Sequence, residues 1–146
     1  LESGDEKEFE EWRDGEFKRS YIGASEREYY TELPPTLFIK LARFVQHPRE
    51  AKLPNRVNVP DTVDMAAYLL PAGIDARFDT RDEAARGTQY ELYAAVVHDG
   101  VSVHGGHYYA YVKVDGVWYR FNDATATRLS ARPDLSAAYG LFFTRK

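Results

Sequence analysis

The sequence predicts an α+β fold built mainly on an antiparallel β-sheet. Three observations carry this. The longest apolar segments are rich in β-branched and aromatic residues, which is strand chemistry. An Asp115-Gly116 pair sits between two such segments, and Asp-Gly is a strong signal for a two-residue hairpin loop. The remaining stretches are short and punctuated by Gly and Pro, which leaves room for one or two brief helices.

In chain order, residues 1–32 form an acidic lead-in. They hold eleven acids against five bases, a net −6, while residues 33–146 carry +2. Phe9, Trp12 and Phe17 make one weak helical face, interrupted by Gly15 and Gly23. The segment reads as a solvated helix or partly disordered chain, or else as an acidic docking surface. Leu33-Pro34-Pro35 opens the folded unit, 33–146. Thr36 to Val45 reads as a largely buried strand, with Lys40 and Arg43 marking a face that meets solvent or a partner. Residues 46–62 contain three prolines and read as a loop with a short strand at Arg56–Val59. Met65 to Leu70 is short and apolar and stops at Pro71. Residues 73–88 are charged, carry Gly73 and Gly87, and read as a surface insertion or mobile loop.

The rest is strand-like. Between Gln89 and His98, Tyr90, Leu92, Ala94 and Val96 are expected on one face and Tyr93, Ala95 and Val97 on the other. A loop with three glycines follows, from Asp99 to Gly106. Then come His107–Val114, Val117–Asp123 and a closing strand, Ala138–Arg145.

Composition excludes several classes. A chain of 146 residues with 44% hydrophobic and 29% charged content is long enough for one core and is not disordered overall. It has no cysteine, so disulfides, thiolate zinc sites and a cysteine nucleophile within these residues are ruled out. No apolar run approaches the ~18 residues of a membrane span, and there is no signal-like apolar core. No basic stripe argues for nucleic acid. The first residue is Leu1, which reads as a domain boundary. His98, His104 and His107 fit no common zinc spacing, so no metal is expected.

The Asp115-Gly116 turn fixes a register. Val114 then faces Val117, Val112 faces Tyr119, Ala110 faces Phe121 and Tyr108 faces Asp123, a mostly apolar set expected to point into the core. The opposite face pairs Lys113 with Trp118, Tyr111 with Arg120, and Tyr109 with Asn122. If exposed, its Tyr109, Tyr111 and Trp118 could bind a partner. His107 lies diagonal to Asn122 on that face, ~7–8 Å away at the backbone and within side-chain reach. Asp123 is expected to point the other way. A histidine oriented by an amide or carboxylate is half of a nucleophilic triad. Gly105 and Gly106, without Cβ atoms, allow another chain to approach closely.

Five ordered segments add a family resemblance. They are Leu33 to Phe44, Tyr90 to Gly100, Gly106-His107-Tyr108-Tyr109-Ala110-Tyr111-Val112, Trp118-Tyr119-Arg120-Phe121-Asn122-Asp123, and Ala138 to Arg145. Together they resemble the C-terminal half of the ubiquitin-specific proteases, the papain-like cysteine deubiquitinases. The resemblance implies the palm-side half of a papain-like cysteine protease fold. It implies His107 as the catalytic histidine, Asn122 as its orienter and Asp123 as an assisting acid. Gly105, Gly106 and Tyr108 would touch the Gly-Gly tail of ubiquitin. It implies ubiquitin or ubiquitinated proteins as partners, no cofactor, and an intracellular setting in cytoplasm or nucleus.

Departures from the family pattern are equally specific. Nothing matches its N-terminal cysteine box or its paired-cysteine zinc site, and the usual Leu-Lys-Arg-Phe ending reads Leu41-Ala42-Arg43-Phe44. The expectation is therefore a segment inactive by itself, whose partner is the cysteine-containing half of the same protein. The alternative is a catalytically dead ubiquitin-binding or scaffolding module.

Overall fold

A computed structural model of the chain describes residues 6–7, 24–25, 27–45, 51–102 and 105–146. Its strands are β1 (Glu6–Lys7), β2 (Ala24–Ser25), β3 (Thr36–Lys40), β4 (Phe44–Val45), β5 (Ala51–Lys52), β6 (Thr62–Asp64), β7 (Gln89–Ser102), β8 (Gly105–Val114), β9 (Val117–Asn122), β10 (Thr125–Arg128) and β11 (Ala138–Arg145). A 3-10 turn covers Ala66–Tyr68, and the single described α-helix, α1, covers Arg81–Ala85. Seven strands form the main antiparallel sheet, in the order β10-β9-β8-β7-β11-β3 with β6 also on β7. The pairs β1–β2 and β4–β5 stand apart from it. The expected face of Phe9, Trp12 and Phe17 lies outside the described residues.

β7 organises the sheet. Its two sides are apolar enough to sit between neighbours, with β8 on one edge and β11 on the other. β6 continues the β8 edge, pairing Thr62 with Glu91 and Asp64 with Gln89 below the point where β8 begins at Ala94. The short strand is thus at Thr62–Asp64, and Arg56–Val59 is irregular. Pro54 and Pro60 flank the latter segment and remove ladder donors, while Thr62–Asp64 lies beyond the last proline.

The facing of β7 differs from strict alternation. The pairing of β11 with β7 shifts between Phe142 and Phe143, where Leu92 and Ala94 are successive partners. That bulge carries Tyr90 and Leu92 to the same side as Ala95 and Val97. All four are buried, and Tyr90, Leu92 and Ala95 join Leu37, Leu141, Phe143 and Trp118 in the core. The core is closed below by Leu33, Val59, Met65, Leu69 and Leu135 from the connecting segments.

The hairpin of β8 and β9 has the register expected from Asp115-Gly116, from Val114↔Val117 to Ala110↔Phe121. Both turn residues take positive φ, 49° and 78°, as a type I′ loop requires. Its core-facing side is the reverse of the expected one. Trp118 is 6% exposed and buried with Tyr111 against it, whereas Tyr108, Val114 and Phe121 are exposed at 52%, 48% and 41%. Both faces carry apolar and aromatic residues, and it is the one with Trp118 and Tyr111 that joins Leu92 and Ala95 in the core. Trp118 is therefore not a free partner surface.

One further expectation changes. Arg43 is buried, not solvent-facing: Nε donates to Ala138 O at 2.5 Å, Nη1 to Asn55 O at 2.6 Å and Nη2 to Ser136 O at 2.6 Å. Lys40 is exposed and lies 5.8 Å from the Tyr139 ring centroid. The stretch 73–88 holds α1 and is pinned through buried Thr80 and Glu83. Glu83 accepts from the Leu33 amide at 3.1 Å and pairs with Arg145 at 2.7 Å, so the insertion is bolted to both ends of the folded unit.

Candidate active site

His107 stands near the start of β8, where the strand is paired only with β7, opposite Asp99. Asn122 ends β9, on the same face and one diagonal step away. The His107 Nε2 and the Asn122 Oδ1 are in direct hydrogen-bonding contact. An amide oxygen can only accept, so this contact suits an imidazole that donates from Nε2, the arrangement in which a neutral ring keeps its lone pair on Nδ1. The ring is half-exposed, 46% for the side chain.

Asp123 departs from its expected direction. β9 ends at Asn122, and Asp123 takes φ 49° in the turn to β10, where Asn122 pairs with Thr125. The left-handed backbone breaks the alternation of facing. The Asp123 carboxylate therefore swings to 3.9 Å from His107 Nε2. All three expected residues gather around one imidazole, with Asn122 in contact and Asp123 one step farther.

Behind Asn122 the face is a stack. Arg120 Cζ lies 4.4 Å from the Tyr109 ring centroid, and Tyr109 and Tyr111 meet edge-on with centroids 5.5 Å apart. Burial, reinforced by the neighbouring Tyr111, pushes the Tyr109 hydroxyl above the usual phenol range, so it stays protonated. These rings back the strand pair that carries His107 and Asn122.

The three remaining expected residues separate by environment. Gly105 opposes Ser102 across β7–β8, and among the described residues nothing lies within 4 Å of a Cβ built there. Gly106, at φ +156°, is exposed but has no room for a Cβ. A Cβ there would fall onto His98 Nε2 and lie 2.8 Å from Asp99 O. Tyr108 points to the opposite face from His107, and its ring packs 4.6 Å from that of His98. His98 is only 3% exposed, and its place beneath Gly106 had no sequence signal. Lys52 was also missed: its ammonium reaches His98 O at 2.5 Å and Gly100 O at 3.0 Å. Among the described residues no three His, Cys, Asp or Glu side chains gather as metal ligands, and no helix is long and apolar enough to cross a membrane.

A family model described as ubiquitin carboxyl-terminal hydrolase matches residues 7–143. The chain is 32% identical over 116 residues to ubiquitin carboxyl-terminal hydrolase 5 of Schizosaccharomyces pombe, covering 76% of this chain and 10% of that protein. It is 37% identical over 97 residues to ubiquitin carboxyl-terminal hydrolase 17 of Homo sapiens, covering 65% of this chain and 16% of that protein. It thus spans less than a fifth of the length of either relative. Among solved structures it is similar to the SAGA Ubp8/Sgf11/Sus1/Sgf73 DUB module bound to ubiquitin aldehyde. That match has a TM-score of 0.72 and 26% identity, over 98% of this chain and 31% of the other. Matched along nearly its whole length, with the sheet and histidine hairpin described above, this chain belongs to the ubiquitin carboxyl-terminal hydrolase family.

Proposed function

We propose that the chain supplies the general base and its orienting amide to a thiol-dependent deubiquitinase, the cysteine nucleophile coming from outside these 146 residues. The observation that carries this reading is the contact between His107 Nε2 and Asn122 Oδ1, which leaves Nδ1 free as a base. Nδ1 takes the thiol proton, and the thiolate attacks the carbonyl of the C-terminal glycine of ubiquitin. The resulting imidazolium, still donating from Nε2 to Asn122, gives its Nδ1 proton to the departing amine. Water, deprotonated by the same nitrogen, then hydrolyses the thioester and releases ubiquitin and thiol. Asp123 stabilises the imidazolium by charge, and Gly105 and Tyr108 line the approach of the Gly-Gly tail. A similar structure bound to ubiquitin aldehyde supports ubiquitin as the ligand.

Hydrolysis of a fluorogenic C-terminal amide of ubiquitin by the full-length protein tests the reading. Wild type should turn over, and His107→Ala should lower kcat by about 10²–10⁴-fold, the share of a positioned general base. A wild type that binds ubiquitin but neither hydrolyses this substrate nor reacts with a ubiquitin C-terminal electrophile would refute it, and would mark the chain as a binding module.

A further inference from the structure

We propose that Lys52 is a positioning residue for His107, acting through the backbone of β7. The inference rests on the reading of His107 as the base. The described pairing of β11 with β7 runs only to Ala138↔Val97, while β7 continues to Ser102. Carbonyls two residues apart on a strand point to the same edge. Beyond Val97, those of His98 and Gly100 therefore meet no strand donor from β11. The Lys52 ammonium, with three donors, reaches both, at 2.5 and 3.0 Å. It takes the place of the missing ladder.

What it grips is the segment facing His107. The two carbonyls flank Asp99, and Asp99 is the residue paired with His107 across β7–β8. The grip is braced by contacts on both sides. Lys52 pairs with Phe44 across β4–β5, and the Phe44 ring meets the His98 ring edge-on at 5.5 Å. Next to Phe44, Arg43 ties this arm to Ala138 and Ser136 beside the start of β11. On the other side, a Cβ at Gly100 would lie 2.5 Å from Gly105 O and 2.8 Å from Gly106 Cα. The two backbones are already in contact there. A shift of His98–Gly100 is thus passed directly to Gly106 and His107, with no slack to absorb it.

The test compares Lys52→Met, Lys52→Gln and Lys52→Arg in the full-length protein. Steady-state hydrolysis of the fluorogenic ubiquitin amide is read together with amide hydrogen exchange. Lys52→Met should lose about 10²-fold in kcat with little change in KM, the scale expected when a reacting group is misplaced by about an ångström. Lys52→Arg, which keeps two or more donors and the charge, should recover most of it. Exchange should quicken at residues 98–100 and 105–108 while β3 and the Leu141–Phe143 stretch of β11 stay protected. Unchanged kcat in Lys52→Met would overturn the proposal, as would exchange quickened equally over the whole sheet. Should Lys52→Met fail to fold, the same comparison is made between Lys52→Gln and Lys52→Arg, and equal kcat in those two would overturn it. If wild type proves inactive, the deubiquitinase reading falls on its own. The clamp is then decided by exchange alone, where unaltered protection at 98–108 in the variant overturns it.

Discussion

Gly105 and Gly106 are neighbours in sequence and both were expected to line a substrate passage, yet the structure gives them different reasons to be glycine. At Gly106 a methyl group would meet three atoms that cannot easily withdraw. His98 Nε2 and Cε1 belong to a ring only 3% exposed and held between Phe44 and Tyr108, and Asp99 O lies in the β7–β8 ladder. The φ of +156° adds strain for any L side chain. Overpacking of this kind costs about 1–3 kcal/mol, and a sparsely populated backbone conformation costs about 1–3 kcal/mol. Gly106→Ala should therefore destabilise by about 2–6 kcal/mol, a large share of the ~5–15 kcal/mol of a typical domain. At about 2 kcal/mol per M in urea, the unfolding midpoint falls by about 1–3 M. Gly105→Ala meets open space among the described residues and should lie within about 0.5 kcal/mol of wild type. Equilibrium urea unfolding followed by circular dichroism separates the two. A double-mutant cycle of Gly106→Ala with His98→Ala should show favourable coupling of about 0.5–3 kcal/mol, because removing the ring removes most of the clash. Equal midpoints for Gly105→Ala and Gly106→Ala, or zero coupling to His98, would refute the argument. In that case substrate approach alone would explain the pair.

Three other outcomes are expected. Asn122→Ala and Asp123→Ala should each lower kcat less than the double variant does by more than the product of the singles, because either oxygen can hold Nε2–H; multiplicative effects would show that Asp123 is not a reserve acceptor. Trp118→Ala should cost about 3–5 kcal/mol in urea unfolding read by circular dichroism, and Phe121→Ser less than about 0.5 kcal/mol; the reverse order would restore the expected facing of the hairpin. Burial pushes the Glu83 carboxyl up, but the Leu33 amide, Arg145 and Arg86 outweigh it and hold it below the usual range. A lowered folded value means a contribution present above an ordinary carboxylate pKa of ~4.3 and lost as pH falls through the folded value. Glu83→Gln should therefore flatten the acid limb of stability against pH, and an unaltered limb would show that the anchor is not linked to that carboxyl.

Much of the site was legible because one turn fixes it. Asp115-Gly116 sets the register of β8 and β9, and the diagonal of His107 and Asn122 follows by counting. Which face of the hairpin is buried does not follow from counting. Val112, Ala110 and Phe121 look as apolar as Tyr111 and Trp118, so residue type alone does not choose between the faces, and the fold buries Trp118. The bulge in β7 has no residue signature either, since Tyr93 and its neighbours suit a regular strand. Arg43 and Lys52 were misread or missed for a shared reason. Their partners are backbone carbonyls, whose free lone pairs appear only where the ladders of a folded sheet end. Asp123 turned toward the imidazole because its φ is positive, and a two-residue turn after Asn122 was not visible as such in Asp-Ala.

The ends of the ladders are also what make this corner suited to chemistry. His107 sits where β8 still has β7 on one edge but β9 has turned away at Asn122, so its backbone is fixed while its ring stays half-exposed. A histidine in mid-sheet would be covered, and one on a free loop would be poorly aimed. Ending a ladder leaves polar backbone atoms to satisfy, and the carbonyls of His98 and Gly100 are met by a side chain. Lys52 serves the carbonyls of β7, and Asn122, released from further pairing with β8, turns its amide to the imidazole. The exposed imidazole and the contacts around it are thus consequences of the same termination of the sheet. Substitutions at Lys52 or Gly106 are therefore expected to reach the proposed base.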